Sequence, residues 1–207
     1  MAGIYVHIPF CKQACHYCDF HFSTNLKFQT DLIEAIRKEF SLQNHYLKGE
    51  KIETIYFGGG TPSLLSTLEL SNILTTIHEN FPVNSSAEIT LEANPDDLNR
   101  EKLHALKAIG INRLSIGIQS FDDHILKFLN RVHDADMAFD SVRAGREAGR
   151  GRAARDRPAA GRGGALRQRH GNRLRDRPGG DGAVLLPRRP AGLSGPIVLE
   201  SAGDRLR

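Results

Sequence analysis

The hydrophobic period of this chain alternates between that of a strand and that of a helix over residues 3–143. No other feature constrains the fold as much. Gly3–Phe10 contains Ile4, Tyr5, Val6 and Ile8, and stops at Pro9-Phe10. Phe28, Leu32, Ile36 and Phe40 follow at helical spacing, opening near Ser23-Thr24-Asn25, and are read as core. Ile52–Phe57 is a β-rich run that ends in Gly58-Gly59-Gly60. Leu70, Ile73, Leu74 and Ile77 make the next helical stripe. Ala87–Glu92 sets Ile89 and Leu91 against Glu88 and Thr90, then meets Asn94-Pro95. Leu103, Leu106 and Ile109 lie on a short helix closed by Gly110, and Ile111–Gln119 is a fourth strand. Helical pattern returns from Asp122 and again over Asp134–Gly149. Four β–α units predict a parallel α/β sheet, doubly wound or closing toward a barrel. Four are half of a full barrel's eight, so the expectation is a partial (β/α) barrel.

The alternation stops near Gly149, and composition changes there. Residues 144–207 hold 15 Arg, 13 Gly, 10 Ala and 5 Pro, with no Lys, Phe or Tyr. Residues 1–143 carry a net charge of −5 and residues 144–207 a net charge of +9. The basic balance of the whole chain therefore says little about partners of the first part, and a nucleic-acid-binding function is not favoured. Arg150–Arg177 has almost no apolar periodicity, too little to offset the entropy of ordering it. Gly182–Leu186 and Pro196–Leu199 are apolar islands with strand character. The expected division is a partial core at 1–149 and a disordered low-complexity tail at 150–207. A frameshift or a joined fragment explains such a switch; a basic nucleic-acid-binding tail is the alternative.

No apolar run is long enough to span a membrane. The N-terminus lacks the cationic and apolar regions of a signal peptide. Three cysteines within eight residues make a poor disulfide framework, so a cytoplasmic setting with reduced thiols is expected.

Those cysteines form the strongest chemical signal: Cys11-Lys-Gln-Ala-Cys15-His-Tyr-Cys18, a C-x3-C-x2-C run directly after the first strand. Three thiolates on one loop suit three irons of a [4Fe–4S] cube and leave the fourth iron open to a small chelating molecule. Structural zinc is the alternative; it needs a fourth ligand, for which His7, His16 and His21 are candidates. The glycine triplet ends the second strand, Glu92 the third and Gln119-Ser120 the fourth. These features fall at one sheet edge, where α/β barrels build their active sites. His45, His78 and His104 read as solvated, and His133 is not assigned a role. Asp122, Asp123, Asp134 and Asp136 read as helix starts.

Tyr5-Val-His-Ile-Pro-Phe-Cys11 through Cys18-Asp-Phe20 resembles the radical S-adenosylmethionine (SAM) enzymes. So do Tyr56-Phe57-Gly-Gly-Gly-Thr61-Pro-Ser63, Leu91-Glu92-Ala-Asn-Pro95 and Gly110 through Asp122. More narrowly, the blocks resemble the branch holding oxygen-independent coproporphyrinogen III oxidase and the HemW heme chaperones. The likeness runs from Gly3 to about Gly149. The oxidase type carries another cysteine two residues after the third; Phe20 stands there, which favours the chaperone-like side.

The resemblance implies that Cys11, Cys15 and Cys18 ligate the cluster and that SAM chelates the open iron. It places Gly59, Gly60 and Thr61 at the methionine end of SAM, and Tyr5 and Tyr17 near the cluster and adenosyl group. Glu92, Gln119 and Arg131 fall at further SAM-site positions. The implied function is heme trafficking, with heme or a porphyrin as cargo and heme-requiring proteins as recipients. The enzyme alternative is oxidative decarboxylation of coproporphyrinogen III by a 5′-deoxyadenosyl radical. A non-catalytic metal- or nucleic-acid-binding module is the third. Family members continue with further β–α units and a C-terminal domain. The chaperone branch carries a His-Asn-x-x-Tyr-Trp motif, and this sequence contains no Trp.

Overall fold

The computed structural model describes residues 2–149 and 197–200. Four parallel strands follow one another across the sheet: β1 (Ala2–Ile8), β2 (Ile52–Gly59), β3 (Val83–Ala93) and β4 (Arg113–Ile116). A fifth, β5 (Ile197–Glu200), lies antiparallel on the other side of β1, giving the order β4-β3-β2-β1-β5. The parallel strands are added on one side in chain order. A doubly wound sheet reverses direction at a switch point; this one does not, so it is a section of barrel wall.

The connections supply α1 (Gln29–Leu42), α2 (Thr67–Asn80) and α3 (Arg100–Ala108), followed after β4 by α4 (Asp123–Phe128) and α5 (Ala135–Gly149). Sequence decides the helix starts. Ser66 and Glu69 form a capping box on α2, Asn99 caps α3, and Asp122 accepts from two backbone N–H groups of α4. Gly110 takes a left-handed φ of 104° just past α3.

The two faces of the sheet differ. Ile4, Val6 and Ile8 of β1, Ile55 and Phe57 of β2, and Leu91 of β3 are buried against Ile33, Ile36, Phe40, Leu70, Ile73 and Ile77 of the helices. Each such side chain contributes about 1.5–3 kcal/mol on leaving water. The alternate residues put Tyr56 between Tyr5 and Thr90, and His7 beside Gly58. That inner face is polar. The strands thus alternate, rather than being apolar on both faces as inner barrel strands usually are.

Three expectations need correction. Phe28 is 59 % exposed rather than core, because it closes a 3-10 turn at Leu26–Phe28 and α1 begins at Gln29; Ile33 takes the inward place. The fourth strand covers four residues, not Ile111–Gln119, since the chain leaves the sheet at Gly117. The third begins at Val83, earlier than Ala87. The island at Pro196–Leu199 is a strand at Ile197–Glu200, while the rest of the 150–207 reading lies outside the described residues. Among the described residues, no helix is long and apolar enough to cross a membrane.

Candidate functional site

The C-terminal ends of β1, β2 and β3 converge because the strands are parallel and in register, His7 opposite Gly58 and Ile8 opposite Gly59. The cysteine loop leaves β1 there and is tied down on both sides. Cys11 N–H donates to Ser23 O (3.0 Å), and Thr61 N–H to Phe10 O (2.7 Å). On the far side the loop docks on the segment after α4. His16 N–H donates to Leu129 O (3.2 Å), and the Gln13 amide donates to Asn130 O (3.0 Å) and Oδ1 (2.6 Å). Asn130 Nδ2 returns a bond to Ala14 O (2.7 Å). Lys12 pairs with both Asp96 and Asp97 in the turn after β3.

All three cysteines are half-buried free thiols. Thr61 Oγ1 donates to Cys11 Sγ (3.4 Å), and Arg131 Nη1 donates to Cys15 Sγ (3.3 Å) and Tyr17 Oη (3.2 Å). Burial pushes the Cys11 thiol up, with the Thr61 hydrogen bond and the Arg131 charge pulling the other way. Arg131 is fixed by Asn94 Oδ1 (2.7 Å) and Gly117 O (2.8 Å), and Asn94 Nδ2 reaches Thr61 Oγ1 (3.3 Å).

A second group lies on the inner face. Glu92 accepts from Tyr56 Oη (2.7 Å) and from Gly59 N–H (3.1 Å). Burial raises the Glu92 carboxyl above the ordinary carboxylate range, although both hydrogen bonds favour the anion. Burial and the adjacent carboxylate push the Tyr56 phenol up. Tyr5 stacks on Tyr56, ring centroids 5.9 Å apart and 21° from parallel. The glycines leave room no side chain could share. A Cβ on Gly58 would stand within 3.1 Å of Tyr56, Tyr5 and Glu92, and one on Gly60 would stand 3.0 Å from Cys11 Sγ.

Of the residues singled out by sequence, Cys11, Cys15, Tyr17, Thr61 and Arg131 share one hydrogen-bonded network, and Gly59 and Glu92 a second with Tyr56, on which Tyr5 stacks. Gly60 lies between them. Cys18 closes the loop, its N–H on Cys15 O (3.1 Å). Gln119 is exposed at φ 67°, with its amide over Gly117. Three participants were not foreseen. Asn94 joins the two thiol partners; it stood inside the Leu91–Pro95 block with no role of its own assigned. Tyr56 anchors Glu92. His133 is buried, its Nε2 on Ile118 O (2.9 Å), with burial lowering its pKa.

The donor set suits a cluster. Three unpaired thiols share one loop, and Arg131 Nε and His133 Nδ1 are buried without a hydrogen-bond partner. Among the described residues, no three His, Cys, Asp or Glu side chains gather about one point where a single ion would sit. The histidines proposed for zinc are placed elsewhere: His7 packs on Gly59, His16 meets Phe128 O (2.8 Å), and His21 is exposed.

The family model of the Radical SAM superfamily matches residues 5–158, running past the Gly149 boundary expected from the motifs. The heme chaperone HemW of Bacillus subtilis is 38 % identical over 151 residues, covering 72 % of this chain and 40 % of that protein. HemW of Lactococcus lactis is 40 % identical over 146 residues, covering 70 % of this chain and 38 % of that protein. The solved coproporphyrinogen III oxidase of Escherichia coli, a radical SAM enzyme, superposes with a TM-score of 0.65. It is 32 % identical, over 70 % of this chain and 34 % of that one. The chain thus spans about 40 % of the length of the curated relatives it matches. With the family model covering most of its residues and the sheet following the fold of the solved oxidase, this chain belongs to the radical SAM superfamily.

Proposed function

We propose that this chain supplies the cluster- and SAM-binding portion of a HemW-like heme-trafficking protein. The observation that carries the reading is the cysteine loop: three free thiols at the strand ends, beside a glycine turn that keeps backbone accessible and a buried carboxylate. Cys11, Cys15 and Cys18 would each hold one iron. When bound, a [4Fe–4S] cluster supplies one-electron chemistry to SAM held at the iron that has no thiolate. Gly59, Gly60 and Thr61 accommodate the methionine end. Glu92 receives an ammonium or hydroxyl group, and Arg131 a carboxylate. Heme is the cargo, and heme-requiring proteins in the cytoplasm are its recipients. The HemW relatives are more nearly identical to this chain than the oxidase is, and Phe20 stands where the oxidase type carries a cysteine.

Anaerobic reconstitution of the 207-residue chain tests this. About four iron and four sulfide per chain are expected, the stoichiometry of one cube. SAM should alter the EPR spectrum of the reduced cluster, and Cys15→Ser should lose the visible iron–sulfur absorbance. Coproporphyrinogen III should not be decarboxylated; turnover would move the assignment to the oxidase. Zinc bound without sulfide would overturn the reading.

A further inference from the structure

Between Cys11 and Cys15 runs a chain of hydrogen bonds whose direction is set by one end. Arg131 carries only donors, so the Asn94 atom facing Nη2 at 2.7 Å must be its oxygen. The Asn94 nitrogen therefore faces Thr61 Oγ1, at 3.3 Å. A hydroxyl has one proton. Because Thr61 accepts from Asn94, that proton is directed to Cys11 Sγ, at 3.4 Å. From the other side, the same guanidinium donates to Cys15 Sγ at 3.3 Å. One amide thus orients a donor toward each of two thiols. Asn94 is itself held by its backbone: its N–H donates to Ser63 Oγ (3.1 Å), which donates to Asp97 Oδ2 (2.6 Å). Thr61 is buried, so water does not compete for its hydroxyl.

We propose that Asn94 is a positioning residue that relays the donor polarity of Arg131 to Thr61, so that a donor faces Cys11 and the guanidinium is held on Cys15, and that it thereby sets the reduction potential of the cluster those thiolates hold. The proposal rests on the cluster reading above. Donors aimed at ligating sulfurs stabilise negative charge, and reduction adds one electron, so they favour the reduced state. Asn94→Asp keeps an oxygen toward Arg131 but presents a second acceptor to Thr61. The hydroxyl then gives its proton to the carboxylate and turns a lone pair toward Cys11.

The test is an EPR-monitored redox titration of the reconstituted 207-residue chain. Asn94→Asp should shift the potential negative, from the lost donor and the added charge. Thr61→Val, which removes the donor without adding charge, should shift it the same way by less. Thr61→Ser should restore the wild-type value. Iron and sulfide analysis of each variant keeps cluster loss apart from a shift. If Asn94→Asp assembles no cluster, Thr61→Val against Thr61→Ser decides. Wild-type potentials in Asn94→Asp and Thr61→Val, at full iron content, would overturn the proposal and leave the cluster assignment standing. A wild-type chain that builds no iron–sulfur cluster overturns both.

Discussion

Glu92 shows what it costs to bury a single carboxyl at a strand end. Its carboxyl is buried beside Tyr56 and Gly59, and burial raises its pKa in the folded chain. A group raised in this way contributes stability that is complete below its unfolded pKa and lost as pH rises through the folded one. At neutral pH the burial of this carboxyl therefore costs stability. Glu92→Gln should raise the melting temperature at pH 7, while the two proteins converge below pH 4; a lower melting temperature at pH 7 would contradict this. On the function proposed above, the same variant should also weaken the effect of SAM on the EPR spectrum of the reconstituted protein, because an amide cannot neutralise an ammonium group. Gly59 is the opposite case, a residue whose lack of a side chain is required. Its φ is 114°, and a Cβ there would meet the His7 ring at 2.6 Å. Gly59→Val should cost about 1–3 kcal/mol from backbone strain alone, read as a drop in thermal midpoint. The glycine was visible in sequence. Its partner was not, because His7 comes opposite β2 only through the strand register.

At the scale of elements, the cysteine loop is held by a turn more than 110 residues away in sequence. Asn130 adopts a left-handed φ of 57° and clamps the loop through Gln13 and Ala14. Asn tolerates this conformation better than most residues. Asn130→Gly keeps the backbone geometry and removes only the side-chain bonds, a loss of about 1–2 kcal/mol for two of them. Asn130→Ala adds strain to that loss. Both variants should speed tryptic cleavage after Lys12, the alanine more than the glycine; equal rates in all three would show that the clamp does not order the loop. No periodicity announces this contact, since it joins two irregular segments. The helices were more legible. Their apolar stripes matched the buried faces of α2 and α3, and Asp122 starts α4 as expected. Phe28 failed because spacing alone does not show where a 3-10 turn gives way to α-helix. The fourth strand was overestimated because Ile118 and Gln119 extend the apolar alternation after the backbone has left the sheet.

At the scale of the whole molecule, the described residues form a section of barrel wall. Among the described residues, nothing pairs with the outer edge of β4, and the segments that follow it in the chain expose aromatics. Phe121 and Phe139 stack with centroids 4.4 Å apart, yet are 50 % and 59 % exposed, and Phe128 is 77 % exposed nearby in sequence. The parallel sheet and its apolar face toward the helices followed from the β–α alternation, whereas the strand order, which alternation leaves open between a doubly wound sheet and a barrel wall, and these exposed aromatics did not. Period alone does not distinguish a residue packed on a neighbouring unit from one that lacks such a neighbour. An unpaired strand edge, and exposed aromatics elsewhere on the same chain, are each a template for a second chain. The protein should therefore self-associate with rising concentration, as followed by sedimentation velocity. Replacing Phe121 and Phe139 together by Asp should shift it toward monomer without lowering its helical circular dichroism, because both rings lie outside the buried core. Arg113 already places a charge on β4, 57 % exposed and paired with Glu88 at 2.7 Å. That ion pair neutralises a charge that would otherwise repel an incoming strand. Glu88→Gln should free the arginine and weaken association further, most clearly at low ionic strength, where the screening length is greatest. An oligomer distribution unchanged by either the double Asp substitution or Glu88→Gln would show that this edge is not where chains meet.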